Sequence, residues 1–141
     1  GERDLEMVQR AYREAGIEAD VEPFIYDMGR QLADADLVIC RAGATTLAEL
    51  TSAGKAAVLI PLPTATDDHQ RKNAEALAAA GAAEVVLQAE ATGSLLAQRI
   101  QALAGDGDRR ARMSAAARTL ARPDAARVIV DRVMALAGRA A

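Results

Sequence analysis

Aromatic residues are scarce in this sequence: they make up 2% of the chain, tryptophan is absent, and Phe24 is the single phenylalanine. Hydrophobic residues nevertheless account for 51% of the 141 positions. A chain of this length can enclose a real core in one domain. We therefore expect a core made of alanine, leucine, valine and isoleucine.

Cysteine, histidine and excess positive charge are equally scarce. Cys40 and His69 are the single residues of their kinds, so the sequence offers no disulfide framework and no metal-ligand cluster, and it fits a reducing compartment. The net charge of −3 at pH 7 gives no electrostatic reason to expect nucleic acid as a partner. No apolar run approaches the length of a transmembrane helix, and no signal peptide is recognisable.

Short apolar runs alternate with amphipathic segments along the chain. Four strands are predicted, at 19–25, 37–40, 56–60 and 83–87, and Pro23 suggests the end or an edge position of the first. This alternation is typical of an α/β protein with a doubly wound parallel sheet. Helices are predicted at 4–15, 28–35, 45–53, 69–80, 90–104, 108–121 and 124–137.

The stretch from Asp36 to Gly54 predicts a buried strand, a tight glycine turn and a helix. Thr45 or Thr46 is expected to cap this helix, and Gly54 to end it. Such a turn leaves backbone N–H groups open to an anion, at the sheet edge where ligands of open parallel sheets bind. It is the best candidate for a diphosphate site, although a structural turn without a ligand explains the local sequence equally well.

Glu49 and Phe24 each allow two interpretations. A carboxylate at Glu49, in the helix after the turn, can accept hydrogen bonds from ribose hydroxyls, but an exposed helix charge is the more ordinary explanation. Phe24 follows a predicted strand and is either a core residue or a lid on a planar base. The residues alone favour the core.

A second polar cluster opens the helix that begins near His69, on the same sheet edge as the turn. His69 and Asn73 share a helix face, with Gln70 beside Asn73. Amides suit sugar hydroxyls because each offers donors and an acceptor. No nucleophile or paired carboxylate supports His69 as a general base. The remaining expectations are structural: Asp68 as the cap, with Arg71 and Lys72 in solvent.

Four segments of the chain stand in an order and spacing typical of one family. They are ICRAGATTLAE at 39–49, AGKAAVLIPLP at 53–63, DDHQRKNA at 67–74 and AGAA at 80–83. Together they resemble the MurG family, the bacterial peptidoglycan N-acetylglucosaminyltransferases. The chain is similar to the carboxyl-terminal, donor-binding half of those enzymes over nearly its whole length.

The resemblance implies a GT-B fold, in which two Rossmann-like domains of parallel sheet and flanking helices face a cleft. It implies inverting transfer of N-acetylglucosamine from UDP-N-acetylglucosamine to the undecaprenyl-diphosphate-muramoyl-pentapeptide lipid, without a cofactor or metal. It also implies a peripheral location on the cytoplasmic face of the bacterial inner membrane.

The resemblance also assigns roles to residues of this sequence. Phe24 and Ile25 stand where the family holds the uracil, and Glu49 matches the ribose-binding carboxylate. Gln70 and Asn73 match residues that contact and position the sugar, while His69 stands where some relatives have glutamine. The turn expected at the diphosphate comprises Arg41, Ala42, Gly43, Ala44, Thr45 and Thr46.

Parts of the family pattern have no counterpart in residues 1–141. The family's carboxyl-terminal domain begins with two strands and a glycine-rich loop, and its amino-terminal domain binds the acceptor lipid, docks on the membrane and contributes a catalytic base. The chain is therefore expected to be a partial donor-binding domain without a catalytic residue of its own. Lacking the first two strands, segment 19–25 is expected either to stand apart from the sheet or to pair directly beside 37–40.

Three other functions remain open. One is a stand-alone donor-binding subunit that needs a separate acceptor-binding partner. Another is an isomerase similar to the UDP-N-acetylglucosamine 2-epimerases, which share the two-domain fold, although the chain lacks a suitable set of acid and base side chains. The third is a non-catalytic module that binds nucleotide sugars.

Overall fold

The computed structural model describes residues 2–138, which form two compact units. The first unit ends at Gln31 and the second begins at Leu32. The second unit contains the sheet and most of the helices.

The first unit contains helix α1 (Glu2–Glu14), an irregular segment and the start of helix α2 (Met28–Asp34). Gly16 ends α1 with φ +65°, in the left-handed region that glycine tolerates best. Asp27 caps α2, because its Oδ1 accepts a hydrogen bond from the backbone N–H of Arg30 at 3.0 Å.

The prediction of a strand at 19–25 is wrong, because residues 17–25 are irregular and almost entirely exposed. A strand needs a neighbour that takes its backbone hydrogen bonds, and the sheet of the described residues consists of three other strands. Of the two outcomes expected for this segment, pairing beside 37–40 does not occur and the segment stands outside the sheet.

The second unit is built on a three-stranded parallel sheet in the order β1-β2-β3. Val38 pairs with Ala57, and Ala57 pairs with Ala83. The three remaining predicted strands are thus confirmed, each with a shorter hydrogen-bonded centre. The bounds are β1 (Val38–Cys40), α3 (Ala44–Ala53), β2 (Ala57–Leu59), a 3₁₀ turn (Thr66–Asp68), α4 (His69–Ala79), β3 (Ala83–Val85), α5 (Gly93–Ala104), α6 (Gly107–Thr119) and α7 (Ala125–Ala137).

The central strand β2 is buried on both faces. Its alternating side chains enter two separate clusters: Leu59 joins one with residues of α3 and α4, and Val58 joins the other with Leu103 of α5 and Met113 of α6. Helices therefore cover both faces of the sheet, which confirms the doubly wound arrangement. The largest fully buried side chains are leucine and valine, as the scarcity of aromatic residues predicts.

A single carboxylate ties two helices to strand β3. Glu84, with 13% of its side chain exposed, lies 2.7 Å from an Arg109 guanidinium nitrogen of α6 and 3.3 Å from one of Arg99 in α5. Within residues 2–138, none of the helices is long and apolar enough to span a membrane.

Candidate functional site

The candidate site lies at the carboxyl edge of the sheet, where the loops after β1 and β2 meet. Because the strands are parallel, the β1–α3 turn and the β2–α4 loop leave the sheet on the same side. This is the edge at which open parallel sheets bind ligands. The sequence predicted this placement for both loops.

Helix α3 begins without a side-chain cap. Gly43 is the N-cap residue, and its carbonyl accepts the first helical bond from Leu47 N–H at 3.0 Å. The prediction that Thr45 or Thr46 caps this helix is wrong, because the helix already begins at Ala44. The N–H groups of residues 44–46 therefore have no acceptor within the helix, and they give this end of α3 a partial positive charge.

The peptide groups of Ala42 are held by two side chains of α4. The Ala42 N–H donates to Gln70 Oε1 at 3.2 Å, and the Ala42 carbonyl accepts from Asn73 Nδ2 at 3.2 Å. Gln70 Oε1 also accepts from the Leu62 N–H at 3.1 Å. Gln70 and Asn73 lie one helical turn apart, so both reach the same residue. We call Gln70 and Asn73, together with the backbone groups of Ala42 and Leu62 that they bind, the amide clamp.

The amide clamp fixes which groups remain for a ligand. Gln70 uses its oxygen for two backbone N–H groups, which leaves its NH₂ group as the donor. Asn73 uses one N–H of its amide, which leaves its carbonyl oxygen as an acceptor. Both side chains are half-buried. The sequence predicted a ligand role for the two amides and missed their bonds to the turn.

Arg41 makes a second connection between the loops. Its guanidinium donates to the carbonyls of Ile60 and Pro61 at 3.1 and 3.4 Å. These carbonyls follow β2, where Pro61 prevents the strand from continuing its ladder. The guanidinium is therefore engaged with the protein backbone, beside the turn in which a diphosphate-binding role was predicted.

The β2–α4 loop contains two consecutive residues in the left-handed region, Asp67 with φ 52° and Asp68 with φ 54°. Such values are uncommon outside glycine, and aspartate is among the residues that tolerate them best. Asp68 occupies the predicted N-cap position, but its side chain makes no capping bond. Lys72 Nζ donates instead to the Asp67 carbonyl at 2.9 Å, which holds the bend.

The His69 ring is exposed, and its Nδ1 lies 2.7 Å from the Thr66 carbonyl. A carbonyl can only accept, so Nδ1 carries the proton and the ring has no carboxylate orienting it as a base. Arg71 is exposed as expected and pairs with Glu75 at 2.8 Å. Its pKa is raised by the hydrogen bond and charge of Glu75.

Glu49 is exposed on α3, two positions beyond Leu47, so a ribose contact is sterically open to it. Phe24 and Ile25 belong to the first unit and are 63% and 42% exposed. The Phe24 ring stacks edge-on against Tyr26 at a centroid distance of 5.0 Å. The interpretation of Phe24 as a core residue is therefore wrong, and its role at the uracil stays a prediction.

A cavity of about 510 Å³ adjoins the site, between the segments that follow β2 and β3. It was not predicted, since prolines after a strand indicate only that the strand ends. Its lining is mainly apolar and includes one carboxylate and one guanidinium. The lining residues are Pro61, Pro63, Asp68, Arg71, Leu87, Gln88 and Ala89.

Among residues 2–138, no group of three or more histidine, cysteine, aspartate or glutamate side chains is placed to hold a metal ion. Cys40 is a free, half-buried thiol at the end of β1. Burial raises its pKa from 9.0 to about 11, so it is protonated at neutral pH and is not an activated nucleophile.

Comparison with known proteins gives one consistent result. A family model for the glycosyltransferase family 28 C-terminal domain matches residues 1–129. The chain is 53% identical over 134 residues to a UDP-N-acetylglucosamine--N-acetylmuramyl-(pentapeptide) pyrophosphoryl-undecaprenol N-acetylglucosamine transferase of Trichlorobacter lovleyi, and 52% identical to the protein of that name from Geobacter metallireducens. Each alignment covers 95% of this chain, but 35% and 37% of the relative.

The fold agrees with the sequence comparison. The crystal structure of Acinetobacter baumannii MurG superposes with a TM-score of 0.87 at 40% identity, covering 95% of this chain and 39% of that protein. The chain thus spans about a third of the length of the curated relatives it matches.

Proposed function

Because the chain belongs to the glycosyltransferase family 28 C-terminal domain family, we propose that it is the donor-binding part of an N-acetylglucosaminyltransferase. In this proposal, residues 1–141 form a partial domain that binds UDP-N-acetylglucosamine for inverting transfer of its sugar. The acceptor is the undecaprenyl-diphosphate-muramoyl-pentapeptide lipid of peptidoglycan synthesis. The enzyme works at the cytoplasmic face of the bacterial inner membrane and needs no cofactor.

The observation that carries the proposal is the start of α3. Three N–H groups without a helical acceptor lie at the carboxyl edge of a parallel sheet, after a glycine without a side chain. This combination of open donors and helix dipole favours a phosphate group. The resemblance to enzymes whose names specify a UDP-sugar donor is the independent support for a diphosphate there.

The remaining residues of the proposed site have the roles that the resemblance assigns to them. Glu49, farther along α3, binds the ribose hydroxyls, while Phe24 and Ile25 hold the uracil. His69 and the free amide groups of Gln70 and Asn73 face the sugar. The diphosphate itself contacts the turn from Arg41 to Thr46, where backbone N–H groups and threonine hydroxyls are available.

Within this chain the chemical contribution is electrostatic. Transfer breaks the bond between the anomeric carbon and the diphosphate, and negative charge grows on the departing UDP. Donors already oriented at the start of α3 stabilise that charge without reorganising. The base that accepts the acceptor's proton, the lipid-binding surface and the membrane contact belong to parts of the relatives that this chain does not match.

A stand-alone donor-binding subunit is the second candidate. It rests on one observation, namely that the turn and the amide clamp both lie within the residues that match the C-terminal domain family. In that case, a separate acceptor-binding partner completes the enzyme. Both candidates require the same donor site.

Calorimetric titration with UDP-N-acetylglucosamine tests the donor site. Glu49→Ala removes a charge-assisted hydrogen bond, so we expect the dissociation constant to rise roughly 10- to 100-fold. Asp108→Ala removes an exposed carboxylate from the first turn of another helix, α6, and should leave the affinity unchanged. Equal affinities for the wild type and Glu49→Ala would return Glu49 to the role of a surface charge.

A further inference from the structure

The amide clamp holds the peptide groups of Ala42, at the start of the glycine turn. Ala42 is completely buried in the core but carries only a methyl group, and Gly43 has no side chain. The α3 cap has no side-chain hydrogen bond either. What fixes the Ala42 peptide groups is therefore the pair of amides on α4, with one bond at the N–H and one at the carbonyl.

Gln70 also links the turn to the next loop. One oxygen accepts from both Ala42 and Leu62, whose N–H groups belong to the connections after β1 and β2. Removing that oxygen leaves the buried Ala42 N–H without a partner, which is costly in a folded protein. The turn would then relax toward other conformations that place the N–H groups of residues 44–46 differently.

We propose that Gln70 and Asn73 are positioning residues for the diphosphate, which they affect through the Ala42 peptide groups and not only through contact with the sugar. This inference rests on the proposed donor site and extends it. Its consequence is specific: loss of either side chain weakens every ligand that carries the diphosphate, with or without a sugar. A residue that only contacts the sugar would leave the binding of UDP unchanged.

The first experiment measures the clamp in the chain without ligand. In Gln70→Ala, we expect amide hydrogen exchange at Ala42 and Leu62 to accelerate roughly tenfold or more, while Val58 in the centre of β2 stays as slow as in the wild type. Gln70→Glu keeps an oxygen acceptor for both N–H groups, so it should retain the slow exchange. Gln101→Ala, the same substitution at an exposed position of α5, is the matched control.

The second experiment compares UDP with UDP-N-acetylglucosamine by calorimetry. Gln70→Ala and Asn73→Ala should weaken both ligands by a similar factor, roughly tenfold, whereas Gln101→Ala should weaken neither. Loss of affinity for UDP-N-acetylglucosamine alone, with UDP unchanged, would overturn the positioning role.

The two experiments separate the inference from the proposal beneath it. A wild-type chain that binds neither UDP nor UDP-N-acetylglucosamine overturns the proposed donor site. The exchange comparison still decides whether the clamp holds the turn, because it uses no ligand. Unchanged exchange at Ala42 in Gln70→Ala overturns the clamp.

Discussion

The Cys40 thiol loses part of its solvent at the end of β1, and the cost of burying a thiolate raises its pKa from 9.0 to about 11. Between about pH 9 and pH 11, the folded thiol therefore stays mostly protonated, whereas an unfolded cysteine is mostly ionised. We expect alkylation by iodoacetamide near pH 8 to be about 100-fold slower in the folded chain than in urea, because only the thiolate reacts. The rate should rise with pH until about pH 11.

The same cysteine in urea is the control for Cys40, since the protein and reagent are identical. Equal alkylation rates in the folded and unfolded chains at pH 8 would show that the burial of Cys40 does not suppress its ionisation. A folded-state rate that stops rising near pH 9 would show that its pKa is not raised.

The amides of Gln70 and Asn73 illustrate what single residues in a sequence can and cannot tell. Their spacing and position after β2 were enough to place them beside the glycine turn. Their bonds to Ala42 could not be predicted, because an amide bonds equally well to backbone groups or to a ligand. The choice depends on the distance between two loops, which only the packed sheet determines.

Gly54 ends α3 with φ 62°, and its N–H continues the bonding pattern of the last helical turn. A Cβ at this position would collide with the Arg118 side chain and would be strained by the left-handed backbone. We expect Gly54→Ala to lower the free energy of unfolding by about 1–2 kcal/mol or more. Urea denaturation monitored by circular dichroism measures the change.

Gly93→Ala is the matched control for Gly54→Ala. Gly93 is the first residue of α5, and a Cβ there meets nothing within 4 Å. Alanine should leave the stability unchanged or raise it slightly. If both substitutions cost the same free energy, neither the left-handed backbone nor the contact with Arg118 matters at Gly54.

The irregular segment before α2 and the central strand should differ sharply in hydrogen exchange. Amides of residues 19–25 have no strand partner, whereas those of 56–60 lie in or beside β2. We expect exchange at 19–25 to be faster, measured by mass spectrometry on peptides covering each segment. Equal, strong protection of both segments would contradict the irregular structure of 19–25.

The four predicted strands differ in whether the local sequence also predicts a pairing partner. Residues 37–40 and 56–60 are apolar runs, and 83–87 is apolar except for Glu84. Helices separate the three segments, so each strand pairs with a neighbour in the same alternating pattern. Residues 19–25 carry a strand-like pattern, but a local pattern does not show whether a pairing partner is present. A strand ladder is a property of two segments, and none of the residues 2–138 pairs with 19–25.

At the scale of the whole molecule, the chain matches about a third of the length of its relatives. We expect the 141-residue chain, given UDP-N-acetylglucosamine and the lipid-linked muramoyl-pentapeptide, to form no product, because our proposal assigns the acceptor site and the base to the part of the relatives that the chain does not match. Release of UDP coupled to product formation is the assay. The full-length Trichlorobacter lovleyi relative is the positive control, and turnover by the 141 residues alone would contradict the division of roles.

Composition and motif order were sufficient to predict the family and the general architecture. Helices alternate with strands at spacings that leave few topologies open. The helix boundaries were predicted to within a few residues. The cavity beside the site was not, because it forms between segments after two different strands. Its shape depends on how far apart α4 and the segment after β3 are held, and no local pattern encodes that distance.

The strand order β1-β2-β3 follows the order of the chain, and this matters while the protein is being made. Among the described residues, β2 pairs with β1 and β3 pairs with β2, so each of these two strands meets a partner that was synthesised just before it. Each pairing therefore closes a single crossover between strands that are neighbours in the sequence, which keeps its loop-closure entropy small. The face of β2 that carries Val58 is still open at that stage, because Leu103 and Met113, which cover it, belong to helices that are made later.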